Sequence, residues 1–433
     1  MYKLKLASAV IGLSIASSGF AATDIEWWHA MGGANGEKVN EIAKAFNDSQ
    51  DAYTVKPVYK GNYTETMTSA IAAFRAKKQP HIVQVFEVGT ASMMSAKGAI
   101  YPVYELMRES GQSFDQSGFL SAVTGYYSDQ EGNMLSMPFN SSTPVLYYNK
   151  DLFAKAGIQN PPTTWEEMES VSQKLLDNGV KCGFTTAWQS WVQLENFSAR
   201  QNTPFASEAN GFGGLDTKLT FNGPLQVAHI EKMSEWQQNG IFSYGGRRSD
   251  SAPKFYSEEC AMFMNSSAGY AGIKKNAKFD FGVSQLPYQG SAISEPKNTI
   301  IGGASLWVLQ GHKKEEYKGV ASFLSFLSRA EVQADWHQFS GYLPITRAAY
   351  DLTKGQGFYA QNVGTETGVL QMTSGTPTPN SKGLRLGNFV QIRDIINEEL
   401  EGVWAGQKSA QAALDEAVKR GNVLLRKFER ANK

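Results

Sequence analysis

Apolar positions in the first part of the chain repeat with two alternating periods. Residues 24–29, Asp-Ile-Glu-Trp-Trp-His, read as a strand, and a glycine-containing turn follows at Gly32 and Gly33. Val39, Ile42, Ala43 and Phe46 then fall at i, i+3, i+4 and i+7, the stripe of an amphipathic helix. Residues 53–60 alternate as a second strand, and Met67, Ala70, Ile71 and Phe74 mark one face of a helix over 63–77. Residues 82–86 form a short apolar run, a third strand. Strands separated by helices of this length predict parallel βαβ units. In open sheets of that kind ligands collect at the carboxyl ends of the strands. Three such places stand out: after His29, around Tyr63, and at Glu87.

The stretch 134–150 is the most informative. Two extended apolar segments flank a polar step, Asn140-Ser-Ser-Thr143, and a short helix signal follows over 151–157. Pro161-Pro162 then leads into Thr163-Thr-Trp-Glu-Glu-Met168, where a threonine caps a helix and carboxylates fill its first turn. A chain that crosses from one lobe to another and starts a new αβ series has this pattern. Long helices close the sequence over 389–403 and 409–430, the second with Ala413, Ala417, Leu424, Leu425 and Phe428 on roughly one face.

The beginning of the chain changes the expected compartment. Lys3 and Lys5 precede a short apolar run, and small residues follow up to Ala21 and Ala22. That order predicts a secretory signal peptide over 1–22, too short in its apolar part for a membrane helix of ~20 residues. Roughly 410 of the 433 residues remain, too many for a single core, so two lobes are expected. Basic and acidic residues balance at 41 each, which argues against nucleic acid or an anionic membrane as partner. Cys182 and Cys260 could form one disulfide in an oxidising compartment or stay as two buried thiols. The five histidines (His29, His81, His229, His312, His337) are scattered along the chain at no ligand spacing, so neither metal nor cofactor is expected.

Several blocks carry a family resemblance. Gly61-Asn-Tyr63, 84–90, 138–150 and Pro161-Pro-Thr-Thr-Trp165 are similar to the extracellular solute-binding proteins of the maltose-binding-protein class. Trp188-Gln-Ser-Trp191, 193–198, 300–307, Gly341-Tyr-Leu-Pro-Ile345 and 382–388 resemble more narrowly the periplasmic glycerol-3-phosphate binders of Ugp-type ABC importers. The resemblance implies a type II periplasmic-binding-protein fold: α/β, two lobes, each a mainly parallel sheet flanked by helices, with the ligand between them. It implies 23–137 and 276–330 in one lobe, 138–275 and 331–433 in the other, with crossings near 138–144, 270–278 and 328–338. It further implies a periplasmic monomer that binds sn-glycerol-3-phosphate and glycerophosphodiesters and delivers them to the membrane permease subunits of an ABC transporter. Ligand contacts carried over residue by residue are Tyr63, Glu87, Ser142, Trp188, Ser266, Gly303, Tyr342 and Arg393, with Ser267 an alternative to Ser266.

These residue types suit an anion joined to a diol. Arg393 is expected to fork the phosphate, with Ser142, Ser266, Tyr342 and the Gly303 amide as neutral donors. Glu87 accepts from hydroxyls, and Trp188 and Tyr63 pack on the glycerol carbons. Each has a plainer reading: a surface arginine, a helix-capping glutamate, core aromatics, a glycine bend. The alternative function within the class is an oligosaccharide binder, favoured by high aromatic content. An enzyme is the other alternative; the sequence carries no nucleophile elbow, P-loop or HExxH motif to support it.

Overall fold

A computed structural model describes residues 22–433; the expected signal peptide over 1–22 lies almost wholly outside them. The described chain contains ten strands: β1 (Thr23–His29), β2 (Tyr53–Tyr59), β3 (Ile82–Phe86), β4 (Ile100–Tyr101), β5 (Met137–Ser142), β6 (Pro144–Asn149), β7 (Cys182–Thr186), β8 (Cys260–Ser266), β9 (Phe281–Ser284) and β10 (Gly302–Leu309). They form two sheets. The first runs β2-β1-β3-β10-β4, with β5 also paired to β10; the second runs β7-β8-β6-β9. Each sheet is the centre of one lobe.

The opening periodicity becomes structure almost residue for residue. The helix Gly33–Asp48 buries Val39, Ile42, Ala43 and Phe46 against the first sheet. The helix Tyr63–Arg75 starts at a capping box, in which Asn62 accepts from the Glu65 amide and Glu65 accepts from the Asn62 amide. It buries Met67 and Ala70, but Ile71 is exposed, because the buried stripe swings toward Thr66 instead. Thr164 and Glu167 make a second capping box, on Trp165–Asp177. The closing helices run Phe389–Trp404 and Ala410–Asn432 and pack on one another.

The sheets are mixed rather than mainly parallel. β1 is parallel to β2 and β3, and β7 to β8. β10 enters the first sheet antiparallel to β3, β4 and β5 because it returns from the other lobe instead of through a βαβ crossover. β6 is likewise antiparallel to both its neighbours.

The lobe boundaries also shift. Thr143 alone separates β5 in the first sheet from β6 in the second, so 138–142 belongs to the first lobe and that crossing lies at the polar step. The expected crossing at 270–278 does not occur, since β9 pairs with β6 in the second sheet. The chain returns only between β9 and β10, where Ile300 N–H donates to Asn196. Helix Ala330–Ser340, expected in the second lobe, packs on the first: Trp336 stacks on Phe139 at 5.1 Å. Residues 358–372 then run between the lobes: Tyr359 bonds His337 of that helix, Val369 and Met372 join the first lobe's core, and Gln371 accepts from the Leu286 amide.

Cys182 and Cys260 face one another in register on β7 and β8, and a disulfide joins them. The bond closes a 78-residue separation, worth on the order of 4 kcal/mol through restriction of the unfolded chain. No helix of the described residues is long and apolar enough to cross a membrane.

Candidate functional site

Between the lobes lies a cavity of about 170 Å³ lined from both sides. All eight residues expected to touch ligand line it: Tyr63, Glu87, Ser142, Gly303 and Tyr342 from the first lobe, and Trp188, Ser266 and Arg393 from the second. Ser267 does not.

Most of the neutral groups converge on the crossing strand. Ser142 pairs with Gly302, and Ser141 with Gly303, across β5 and β10. Gly303 has φ +87°, and a Cβ there would lie 1.9 Å from the Asn140 carbonyl oxygen, so glycine is required by the strand pairing itself. Ser266 sits opposite Pro144 on β8, and its hydroxyl accepts from the Ala268 amide at 3.1 Å, leaving its proton to donate elsewhere. Tyr342 is held by the Ser340 hydroxyl on its amide, and the next amide, Leu343, donates to the Ser141 carbonyl at 2.7 Å.

A buried relay sets the Tyr63 hydroxyl. The Ala30 amide donates to Gln84 at 2.7 Å, the Gln84 amide group to Asn140 at 2.7 Å, and Asn140 to the Tyr63 oxygen at 2.8 Å. With that oxygen already accepting from Asn140, the phenol proton is left to donate, and the Tyr342 hydroxyl lies beside it. Burial, with the nearby Tyr342 hydroxyl, holds the Tyr63 pKa well above the ordinary range, and burial raises that of Tyr342. Both phenols are therefore neutral, and the Tyr342 hydroxyl donates to the Met31 sulfur at 3.6 Å, a weak acceptor that a ligand oxygen can replace.

Two helices begin at the cavity, neither with a side-chain cap. Gly33–Asp48 reaches it through Asn35, and Gly269–Asn276 through Ala268 and Gly269. Uncapped N-terminal amides and the helix dipole make such places hospitable to an anion.

Charge is concentrated elsewhere in the lining. Glu87 follows β3, and Arg393 projects from Phe389–Trp404, whose buried positions Ile392 and Ile396 fix its rotation. Arg393 Nη1 lies 2.8 Å from Glu87. Its Nε and Nη2 donate to the two oxygens of Glu195 at 2.9 and 2.6 Å. All three are buried, with exposures of 7% for Glu87, 8% for Arg393 and 1% for Glu195. The expected open fork for phosphate is thus already occupied by two carboxylates, one of them from the opposite lobe. Burial opposes the Arg393 charge, but Glu195 and Glu87 outweigh it and raise its pKa. Burial raises the Glu87 carboxyl above its usual range, with Arg393 pulling it back only in part. Among the described residues no lysine or histidine lines the cavity.

Glu195 lies within 193–198, one of the stretches that carry the resemblance, and is not among the residues expected to touch ligand. It lies in a π-helical turn, Trp191–Asn196, whose every residue is buried, a feature that often marks functional sites. Trp188, just before it, has φ +46°, a rare backbone state for a bulky residue. Trp191 also lines the cavity, its ring over Gly302 and its indole N–H buried without a protein partner. Sequence spacing shows neither the turn nor the strain.

The fold brings together His81, His312 and Glu316, which spacing had not suggested. The two rings stack at 3.9 Å, and His81 Nδ1 accepts from the Glu26 amide. A neutral His81 must then carry its proton on Nε2, facing Glu316 at 4.0 Å, which takes that lone pair away from a metal.

A family model of bacterial extracellular solute-binding proteins matches residues 41–365. The sn-glycerol-3-phosphate-binding periplasmic protein UgpB of Shigella flexneri is 53% identical over 98% of this chain and 97% of its own length. Among solved structures, UgpB from Mycobacterium tuberculosis in complex with glycerophosphocholine superposes with a TM-score of 0.77 at 21% identity, over 94% of this chain and 99% of that one. The GacH receptor of Streptomyces glaucescens, solved unliganded and with acarbose, gives a TM-score of 0.78 at 18% identity over 94% and 99%. These two share the fold; the Shigella protein shares the sequence. The chain belongs to the bacterial extracellular solute-binding proteins, and within them to the periplasmic UgpB proteins.

Proposed function

We propose that this periplasmic protein captures sn-glycerol-3-phosphate, and glycerophosphodiesters that contain it, for an ABC importer. The observation that carries the reading is the cavity's chemistry: a cluster of neutral donors and helix starts beside a buried Glu87–Arg393 pair. The phosphate lies against Ser142, Ser266, Tyr63, Tyr342 and the amides near Gly303 and Gly269, where low dielectric strengthens each bond. The glycerol hydroxyls lie against Glu87 and Arg393, which offer an acceptor beside donors, as a hydroxyl requires. Arg393 therefore serves the diol rather than the phosphate, since its fork is held by Glu195 and Glu87. Trp188 packs on the carbons the two ligand types share.

Size favours this reading over an oligosaccharide. The cavity is about 170 Å³, below the roughly 300 Å³ at which drug-sized pockets begin. Closure about the crossing at Thr143 buries the ligand, and membrane permease subunits recognise the closed monomer. No catalytic step is involved.

Calorimetry of the ligand-stripped mature protein tests it. Glycerol-3-phosphate and glycerophosphocholine are expected to bind and maltose not to. Binding of maltose alone, or turnover of the diester, contradicts the proposal.

A further inference from the structure

The charged side of the cavity has a property that its two lining residues alone do not explain. Arginine carries five N–H donors. Three are committed here, two to Glu195 and one to Glu87, leaving one on each Nη. Glu195 does not line the cavity, so a ligand meets only Glu87 and what remains of Arg393. With both carboxylates ionised, one guanidinium leaves this buried cluster one negative charge in excess, and among the described residues no other ionisable cation lines the cavity.

An uncommitted arginine would welcome any acceptor, a carboxylate included. Bound on its far side by Glu195, with Glu87 alongside, Arg393 presents donors within a net-negative surface. A hydroxyl can donate to Glu87 and accept from Arg393. A carboxylate can only accept, and it must approach Glu87. At an effective dielectric of 20 and ~5 Å, like charges repel enough for a loss of affinity on the order of 200-fold.

We propose that Glu195, acting through Arg393 as a positioning residue, makes this side of the cavity select hydroxyl groups and exclude ligands with a second anionic group. This rests on the glycerol-phosphate reading above. The excluded class comprises phosphate esters whose terminal carbon is oxidised to a carboxylate or carries a second phosphate.

The test is calorimetry with sn-glycerol-3-phosphate and 3-phosphoglycerate, which differ at that terminal carbon. Four proteins are compared: wild type, Glu195→Gln, Glu87→Gln and Ser142→Ala. The wild type should bind glycerol-3-phosphate at least about thirtyfold more tightly than 3-phosphoglycerate. Glu195→Gln should shrink that ratio at least about fivefold, by removing the excess charge and loosening the fork. Ser142→Ala, in the neutral group, should weaken both ligands and keep the ratio. A smaller wild-type ratio overturns the inference, as does a Glu195→Gln protein that loses affinity for both ligands equally. Should Glu195→Gln fail to fold, Glu87→Gln must narrow the ratio instead, and an unchanged ratio there overturns the inference. Absence of glycerol-3-phosphate binding to the wild type overturns the functional reading itself; equal binding of both ligands overturns only the inference.

Discussion

The cavity has two sides built on opposite principles. Around the crossing strand, Ser142, Ser266, Tyr63, Tyr342 and Gly303 gather without a formal charge among them. Across from them in kind, Glu87, Arg393 and Glu195 pack three charges where almost no water reaches. The neutral side can meet an anion cheaply, because its hydroxyls and amides are preorganised by bonds to their own neighbours. The charged side has spent its cation on its own carboxylates, so it suits groups that both donate and accept. In the proposed reading, placing Arg393 beside two acids, rather than beside the phosphate, is what distinguishes the two ends of a glycerol phosphate.

Breaking the charged side should have the largest effect. Arg393→Ala leaves two buried carboxylates without a partner and should destabilise the protein by about 3–5 kcal/mol. Urea unfolding measures this, and a variant as stable as wild type would mean the carboxylates are not held as described. On the neutral side, Tyr342→Phe or Ser142→Ala should cost about 10–100-fold in glycerol-3-phosphate affinity, the worth of one bond to a charged group. The melting temperature should barely move, so the two sides separate into one that stabilises and one that binds.

A subtler contrast lies within the charged side. Burial holds the Glu87 pKa above its unfolded value. Ionised Glu87 therefore costs folded stability at neutral pH; the cost is absent below the unfolded value and complete once pH exceeds the folded one. Glu87→Gln should leave neutral-pH stability unchanged or slightly raised while weakening glycerol-3-phosphate about tenfold. A marked loss of stability would show that Glu87 is a structural partner first. Smallest of all, Asn140→Ala should weaken the ligand about threefold through the Tyr63 hydroxyl. Tyr63→Phe added to it should then cost less than Tyr63→Phe alone, as a double-mutant cycle reads directly.

Much of this was legible in the residues. The stripe Val39, Ile42, Ala43, Phe46 and the polar step at 140–143 depend on local periodicity and turn chemistry, which a linear pattern records. Tyr63 and Glu87 also follow from the strand ends, the other expected contacts follow from the resemblance alone, and all eight line one cavity. What stayed hidden depends on distance along the chain. Arg393 and Glu195 are 198 positions apart, and nothing in either neighbourhood announces the other. β9 pairs in the second lobe rather than the expected first, since a four-residue strand does not reveal its partner in the sequence. The His81–His312 stack and the Cys182–Cys260 bridge likewise exist only once sheets have formed. Such pairing is a tertiary fact, and here it leaves Arg393 without an open fork.

A crystal structure of the protein with sn-glycerol-3-phosphate tests the central claim most directly. The phosphate oxygens should lie within hydrogen-bond distance of Ser142, Ser266 and Tyr342, with the glycerol hydroxyls on Glu87 and Arg393 and the Arg393–Glu195 pair intact. A phosphate seated on Arg393, with that guanidinium drawn away from Glu195, would contradict it.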